Sequence, residues 1–125
     1  MNEPVKDAAL EVPIPEAWWP TLKAVVDSLA QRDGIIGAGL PSVDPVPAEI
    51  SQRCLQAVDD YGAATLITPP DESWNTSVAS WFGDHWRCLI DLWTEEEGRS
   101  DLVLDIDVFE HGPEYRYRLN LVYVP

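Results

Sequence analysis

Residues 102–109 read Leu-Val-Leu-Asp-Ile-Asp-Val-Phe. The even-numbered positions are all apolar, whereas two of the odd-numbered positions are aspartates. Successive side chains of a strand point to opposite faces, so Leu102, Leu104 and Ile106 fall on one face. One apolar face and one mixed face are typical of a half-buried antiparallel strand. The same period of two recurs over residues 86–93 and 115–122. With short loops between them, the three segments predict a β-meander.

Upstream of the meander the apolar period becomes helical. The first stripe follows Pro20, which suits the first turn of a helix, and consists of Leu22, Val25, Val26 and Leu29. The second consists of Ile50, Cys54, Val58 and Tyr61, and Gly62 ends it. After Gly62 the pattern predicts a short strand over residues 63–68, stopped by Pro69 and Pro70. Residues 75–82 fit either a strand or a helical turn.

The fold class that follows is α+β. We expect two N-terminal helices packed on one face of a three- to four-stranded antiparallel β-meander. Residues 1–16 contain three prolines and little periodic hydrophobicity, so we expect a flexible N-terminal arm there. Residues 17–125 then form a single domain, which suits a chain of 125 residues.

The charge of the chain restricts its partners. Twenty-two acidic and eight basic residues give a formal net charge of −14. Such a field repels phosphate backbones and anionic lipid surfaces, so nucleic acid and membranes are not expected partners. A basic protein is the natural complement, and the alternative is that the charge only maintains solubility.

Compartment is predicted from the absence of targeting signals. Residues 1–7 have neither the basic nor the apolar region of a signal peptide, and no run of about 18 apolar residues is present. Cys54 and Cys88 are therefore expected to be reduced core thiols. These features predict a cytoplasmic protein.

No catalytic, metal or cofactor site is predicted. His85 and Cys88 are three residues apart in a predicted strand, so they point to opposite faces. The glycines at residues 34–39 follow a helix, whereas a phosphate-binding loop follows a strand. Acidic residues are so abundant that a carboxylate pair cannot be singled out, and a small enzyme therefore stays open as an alternative.

Two loops combine tryptophan with acidic residues that outnumber the arginines near them. This pairing suits protein recognition, because acids steer a basic partner and aromatic rings anchor it. The predicted partner-binding residues are Asp71, Glu72, Trp74, Trp93, Glu95, Glu96, Glu97 and Asp101.

The segment from Leu92 to Leu102 resembles a family of small bacterial proteins, as do Asp71-Glu72-Ser73-Trp74 and Val122-Tyr123-Val124-Pro125. That family is similar to the immunity proteins of polymorphic-toxin and contact-dependent growth inhibition systems, and the resemblance covers roughly residues 18–125. It implies an antitoxin-like protein that binds and neutralises a cognate toxin domain. The alternatives are a small enzyme or ligand-binding domain with a pocket between helices and sheet, and an adaptor module with an idle charged surface.

Overall fold

The fold is α+β, with two helices and one five-stranded antiparallel sheet, in a computed structural model that describes residues 4–62 and 64–125. The strands follow one another across the sheet in chain order. The elements are β1 (Glu11–Pro13), α1 (Trp19–Ala30), α2 (Ala48–Tyr61), β2 (Val78–Trp81), β3 (Trp86–Thr94), β4 (Gly98–His111) and β5 (Glu114–Tyr123). Short 3₁₀ helices span Glu16–Trp18 and Asp71–Asn75.

Both predicted helices are present. Pro20 lies in the first turn of α1, where its missing N–H costs no hydrogen bond. Gly62 follows α2 at a φ of 122°, a conformation that side-chain-bearing residues rarely adopt, so glycine is suited to end this helix. Within the described residues, no helix is long and apolar enough to cross a membrane.

The predicted meander of β3, β4 and β5 is confirmed. Asp107 lies opposite Arg118 and Phe109 opposite Arg116. The register shifts between Asp105 and Ile106, which marks a β-bulge.

The sheet has two different faces. The core face belongs to one hydrophobic cluster, which also contains buried side chains of α1 and α2, and α2 contacts β5. The members of this cluster that come from β3 and β4 are Trp86, Cys88, Ile90, Leu92, Leu102, Leu104, Ile106 and Val108. The opposite side, here the open face, carries Arg87, Asp105 and Asp107, and its buried Val103 lies outside the cluster.

Two parts of the sheet differ from the prediction. The predicted strand over residues 63–68 is wrong, because only Leu66 forms a bridge, with Thr94, and Ala63 lies outside the described residues. The segment makes one more bond on each side, since the Ile67 amide donates to the Trp93 carbonyl and Thr65 accepts from the Glu95 amide. The fourth strand is instead β2, which comes from residues 75–82, the segment whose pattern fitted either a strand or a helical turn. β1 is the fifth strand.

The N-terminal arm is also more ordered than expected. Residues 11–13 pair with β2 as the edge strand. The Trp86 indole donates to the Val5 carbonyl at 2.8 Å, and Lys6 pairs with Glu110. The Trp86 hydrogen bond and the Lys6–Glu110 ion pair therefore hold a segment whose own sequence shows no strand period.

Candidate functional site

The turn between β3 and β4 presents three consecutive glutamates to solvent. Glu95, Glu96 and Glu97 are all exposed. The turn closes with a hydrogen bond from the Glu97 amide to the Thr94 hydroxyl, at 3.1 Å. Gly98 follows at a φ of 76°, with Trp93 packed beside it, so a Cβ at this position would lie 3.6 Å from that ring. The backbone therefore holds the three carboxylates at the tip of a well-defined hairpin.

Glu96 has a structural partner. Its carboxylate accepts hydrogen bonds from the Thr65 amide at 2.8 Å and from the Thr65 hydroxyl at 2.9 Å. These bonds lower the pKa of Glu96, because they stabilise its charged form. Glu96 thus fastens the segment after α2 to the hairpin, a role that the sequence did not indicate.

Tyr61 joins the end of α2 to the same hairpin. Its hydroxyl accepts a hydrogen bond from the Asp101 amide at 3.1 Å. That bond is the largest single influence and lowers the pKa of Tyr61, but the Glu97 carboxylate, desolvation and the Asp101 charge together outweigh it, so the net shift is upward. Asp60, one residue before Tyr61, is exposed at the C-terminal end of α2. Asp60, Glu95, Glu96, Glu97 and Asp101 are called the acidic end below.

The acidic end carries little counter-charge. Within residues 4–62 and 64–125, none of its five carboxylates forms an ion pair. The neighbouring Arg32 is already paired with Asp59 at 3.1 Å. Arg99, exposed on the same hairpin, forms no ion pair with these carboxylates among the described residues, so most of their negative charge is left for another molecule.

The second predicted loop is arranged differently. Asp71 and Glu72 are exposed in the 3₁₀ helix Asp71–Asn75, which contacts β3. Trp74 is buried, with 4% of its surface exposed, and stacks on Trp19 at 5.1 Å between ring centroids. The Trp74 ring is therefore part of the core. Because so little of it is exposed, it is not available as an anchor for a partner. None of the described contacts joins this loop to the acidic end.

Trp93, the other predicted anchor, lies half-buried on the open face near the turn. Its indole N–H is buried and has no hydrogen-bond partner among the described residues. The structure therefore brings together Trp93, Glu95, Glu96, Glu97 and Asp101, and adds Asp60 and Tyr61, which sequence reasoning missed because α2 is distant in the chain.

The open face holds a hydrogen-bonded network of charged side chains. Asp105, 4% exposed, accepts hydrogen bonds from Arg87, Tyr123 and Asn120 at 2.6–3.1 Å. Burial alone would raise the pKa of Asp105, but these bonds outweigh burial and lower it. The signal in the sequence was the alternation that puts Asp105 and Asp107 on one face of β4.

Asp107 is held in a similar way. It accepts a hydrogen bond from Arg118 at 3.2 Å and lies 3.7 Å from the His85 ring nitrogen. The His85 ring stacks on the Phe109 ring, with 5.0 Å between the ring centroids. The Arg118 guanidinium lies over the same Phe109 ring, 4.7 Å from its centroid. The two buried aspartates are thus engaged by their neighbours, which suits a structural role in the sheet.

The two thiols lie in the core. Cys54 and Cys88 are both free and buried. Burial raises the pKa of Cys54 to about 11 and that of Cys88 still further, which leaves little thiolate at neutral pH. Among the described residues, no group of three or more His, Cys, Asp or Glu side chains is arranged to hold a metal ion.

Comparison with known proteins identifies the family. Residues 26–125 match the family model described as a domain of unknown function, DUF7668, and the chain belongs to that family. A search of curated proteins found no match, and a search of solved structures found none either.

Proposed function

We propose that this member of the DUF7668 family is an immunity protein, which binds and neutralises a cognate toxin domain of basic, nuclease type. The observation that carries the proposal is the acidic end, where five carboxylates project from one hairpin and one helix end without an ion-pair partner in the described chain. In this proposal the two helices cover the core face of the sheet, as the sequence predicts, and leave the hairpin free for contact.

Nuclease clefts are basic because they hold phosphates, so an acidic hairpin can occupy such a cleft and exclude the substrate. Complementary charge also raises association rates above about 10⁶ M⁻¹s⁻¹, and fast capture benefits a cell that must neutralise a toxin at once. Trp93, beside the turn, adds apolar contact area. Asp71 and Glu72 are proposed as a second contact patch, supported from the core by Trp74.

A growth assay tests the proposal. The proposal predicts that a large secreted protein is encoded directly upstream, and the C-terminal domain of that protein would be expressed alone and together with this chain. We expect the domain alone to arrest growth and co-expression to restore it. The variant Glu95→Gln, Glu97→Gln, Asp101→Asn should protect less than the parent, whereas Glu11→Gln, Glu16→Gln, Glu114→Gln, with the same charge change at other exposed sites, should protect fully. Continued arrest with the parent chain present would overturn the proposal.

A groove favours the second candidate, a ligand-binding domain with a pocket between helix and sheet. It measures about 500 Å³ and lies between the start of α2 and β5, with Ile50 and Leu119 among its lining residues. Arg116 and Arg118 at its rim are paired with Asp44 and Asp107, which leaves the groove little free positive charge. Thermal stabilisation of the chain by small anionic or neutral compounds, lost in Ile50→Trp, would support this candidate instead.

A further inference from the structure

A second groove opens directly beside the acidic end. It measures about 420 Å³ and lies between the last turns of α2 and the end of β5. Its lining residues are Ala57, Asp60, Tyr61, Leu102, Val122, Tyr123 and Val124. Ala57, Asp60 and Tyr61 are spaced at i, i+3 and i+4, so they share one face of α2. The small side chain of Ala57 leaves the space that a larger residue would fill.

The floor and the rim of this groove differ in polarity. Leu102 and Val122 are almost fully buried beneath it, and Val124 is 53% exposed at its border. Asp60 stands at the rim, and its only described hydrogen bond is from the neutral Gln56 amide, at 2.7 Å. Tyr61, which also lines the groove, accepts a hydrogen bond from the Asp101 amide and is hydrogen-bonded to the Glu97 side chain. The groove is therefore apolar inside and negative at one edge.

We propose that this groove receives an arginine side chain of the basic protein partner, with the arginine's methylene stem on the apolar floor and its guanidinium beside Asp60 and Tyr61. The inference rests on the proposed function for the identity of the partner as a protein. Charge complementarity selects the occupant, since an acidic or phosphate-bearing group would meet Asp60, Glu97 and Asp101 without a counter-charge.

Arginine suits the site better than lysine. Its planar guanidinium stacks on aromatic faces and forms two hydrogen bonds with a carboxylate, and it is less strongly hydrated than an ammonium group. Tyr61, half-buried at the groove, supplies the aromatic surface. A buried arginine in an aromatic pocket is also the kind of residue that dominates the free energy of protein association.

A peptide titration tests the groove without the toxin. The ¹⁵N-labelled full chain is titrated with the blocked peptide acetyl-Gly-Leu-Arg-Leu-Gly-amide and with the same peptide carrying citrulline, which keeps the shape of arginine but not its charge. We expect the arginine peptide to shift the amide signals of residues 57–61 and 122–124, and the citrulline peptide to bind at least about fivefold more weakly. Asp60→Asn should weaken arginine-peptide binding by a similar factor. The matched control Glu114→Gln, an exposed acid at the opposite end of the sheet, should not.

A second variant tests the space itself. Ala57→Met keeps the charge and the helix propensity but fills the groove, so it should abolish the shifts while the remaining spectrum stays that of the folded parent. Equal binding of both peptides, or shifts confined to residues 95–97, would overturn the inference. If the groove fails this test while the chain still rescues growth, only the groove is wrong. If the peptide binds as expected but the chain never rescues growth, only the immunity function is wrong.

Discussion

At the scale of single residues, Asp105 controls how stability depends on pH. Its carboxylate is buried and receives hydrogen bonds from Arg87, Tyr123 and Asn120, and its pKa is lowered in the folded state. A group with a lowered folded pKa stabilises the protein at pH values above its unfolded pKa of about 3.9. That stabilisation is lost as the pH falls through the lower folded value. Asp105 therefore makes the fold sensitive to acid.

We predict that Asp105→Asn lowers the free energy of unfolding by about 2–3 kcal/mol near neutral pH, because a charged acceptor of several hydrogen bonds is lost. At a strongly acidic pH, well below the unfolded pKa of about 3.9, the parent carboxyl becomes protonated as the pH falls through its lower folded pKa, so the difference between variant and parent should shrink. Urea unfolding at the two pH values measures both effects. Asp101→Asn, an exposed aspartate on the same strand, is the control. A difference that is the same at both pH values would contradict the assigned pKa.

The burial of Leu104 follows the alternating pattern of its strand, whereas the burial of Leu121 departs from that pattern. Leu104 is fully buried, as its period-two pattern indicates, and Leu104→Ala should cost about 2–5 kcal/mol. Extending the alternation of Tyr117 and Leu119 along β5 predicts Leu121 on the core face as well, yet it is only partly buried and lies opposite Asp105. The bulge at Asp105 and Ile106 shifts the register, so Leu121→Ala should cost only about 1 kcal/mol. Thermal or urea unfolding of the two variants checks this, and equal losses would place both leucines in the core.

At the scale of elements, the segment after α2 depends on the hairpin for its order. Residues 65–67 bond to the hairpin through backbone hydrogen bonds and through the Glu96 carboxylate. We predict that Glu96→Ala speeds hydrogen exchange at the Thr65 amide, because the acceptor of that amide is removed. The matched control is Glu95→Ala, since Glu95 binds Thr65 only through its own backbone amide. Equal exchange in the two variants would show that the carboxylate does not hold the segment.

Element lengths explain which parts of the fold the sequence could predict. The helices and the three long strands carry enough residues for a period to be visible, and all five were predicted. β1 has three residues and β2 four, too few to show alternation. Residues 64–68 have the composition of a strand, but β2 and the 3₁₀ helix Asp71–Asn75 take the neighbouring positions along β3. Whether such a short segment becomes a strand depends on its pairing with distant segments, and its local composition does not determine that pairing.

At the scale of the whole molecule, the charges are sorted into two kinds of surface. The arginines of β3 and β5 are paired with Asp105, Asp44 and Asp107, so the open face is nearly balanced. The acidic end keeps its charge unpaired within the described chain. The sequence predicted the hairpin part of this surface because Glu95, Glu96 and Glu97 are consecutive. It could not predict Asp60 or Tyr61, which reach the hairpin only through the packing of α2.

This charge distribution predicts how the chain associates with a basic toxin domain. Glu95→Gln, Glu97→Gln and Asp101→Asn together should slow association and flatten its dependence on salt, since exposed charges act mainly on the encounter rate. Glu96 is left intact because it holds Thr65. Folding should be almost unchanged, as these three side chains are exposed. Stopped-flow association at low and high salt measures both quantities, with Glu11→Gln, Glu16→Gln, Glu114→Gln as the charge-matched control. If the control slows association as much as the acidic-end variant, net charge alone steers the partner, and the acidic end is not the contact surface.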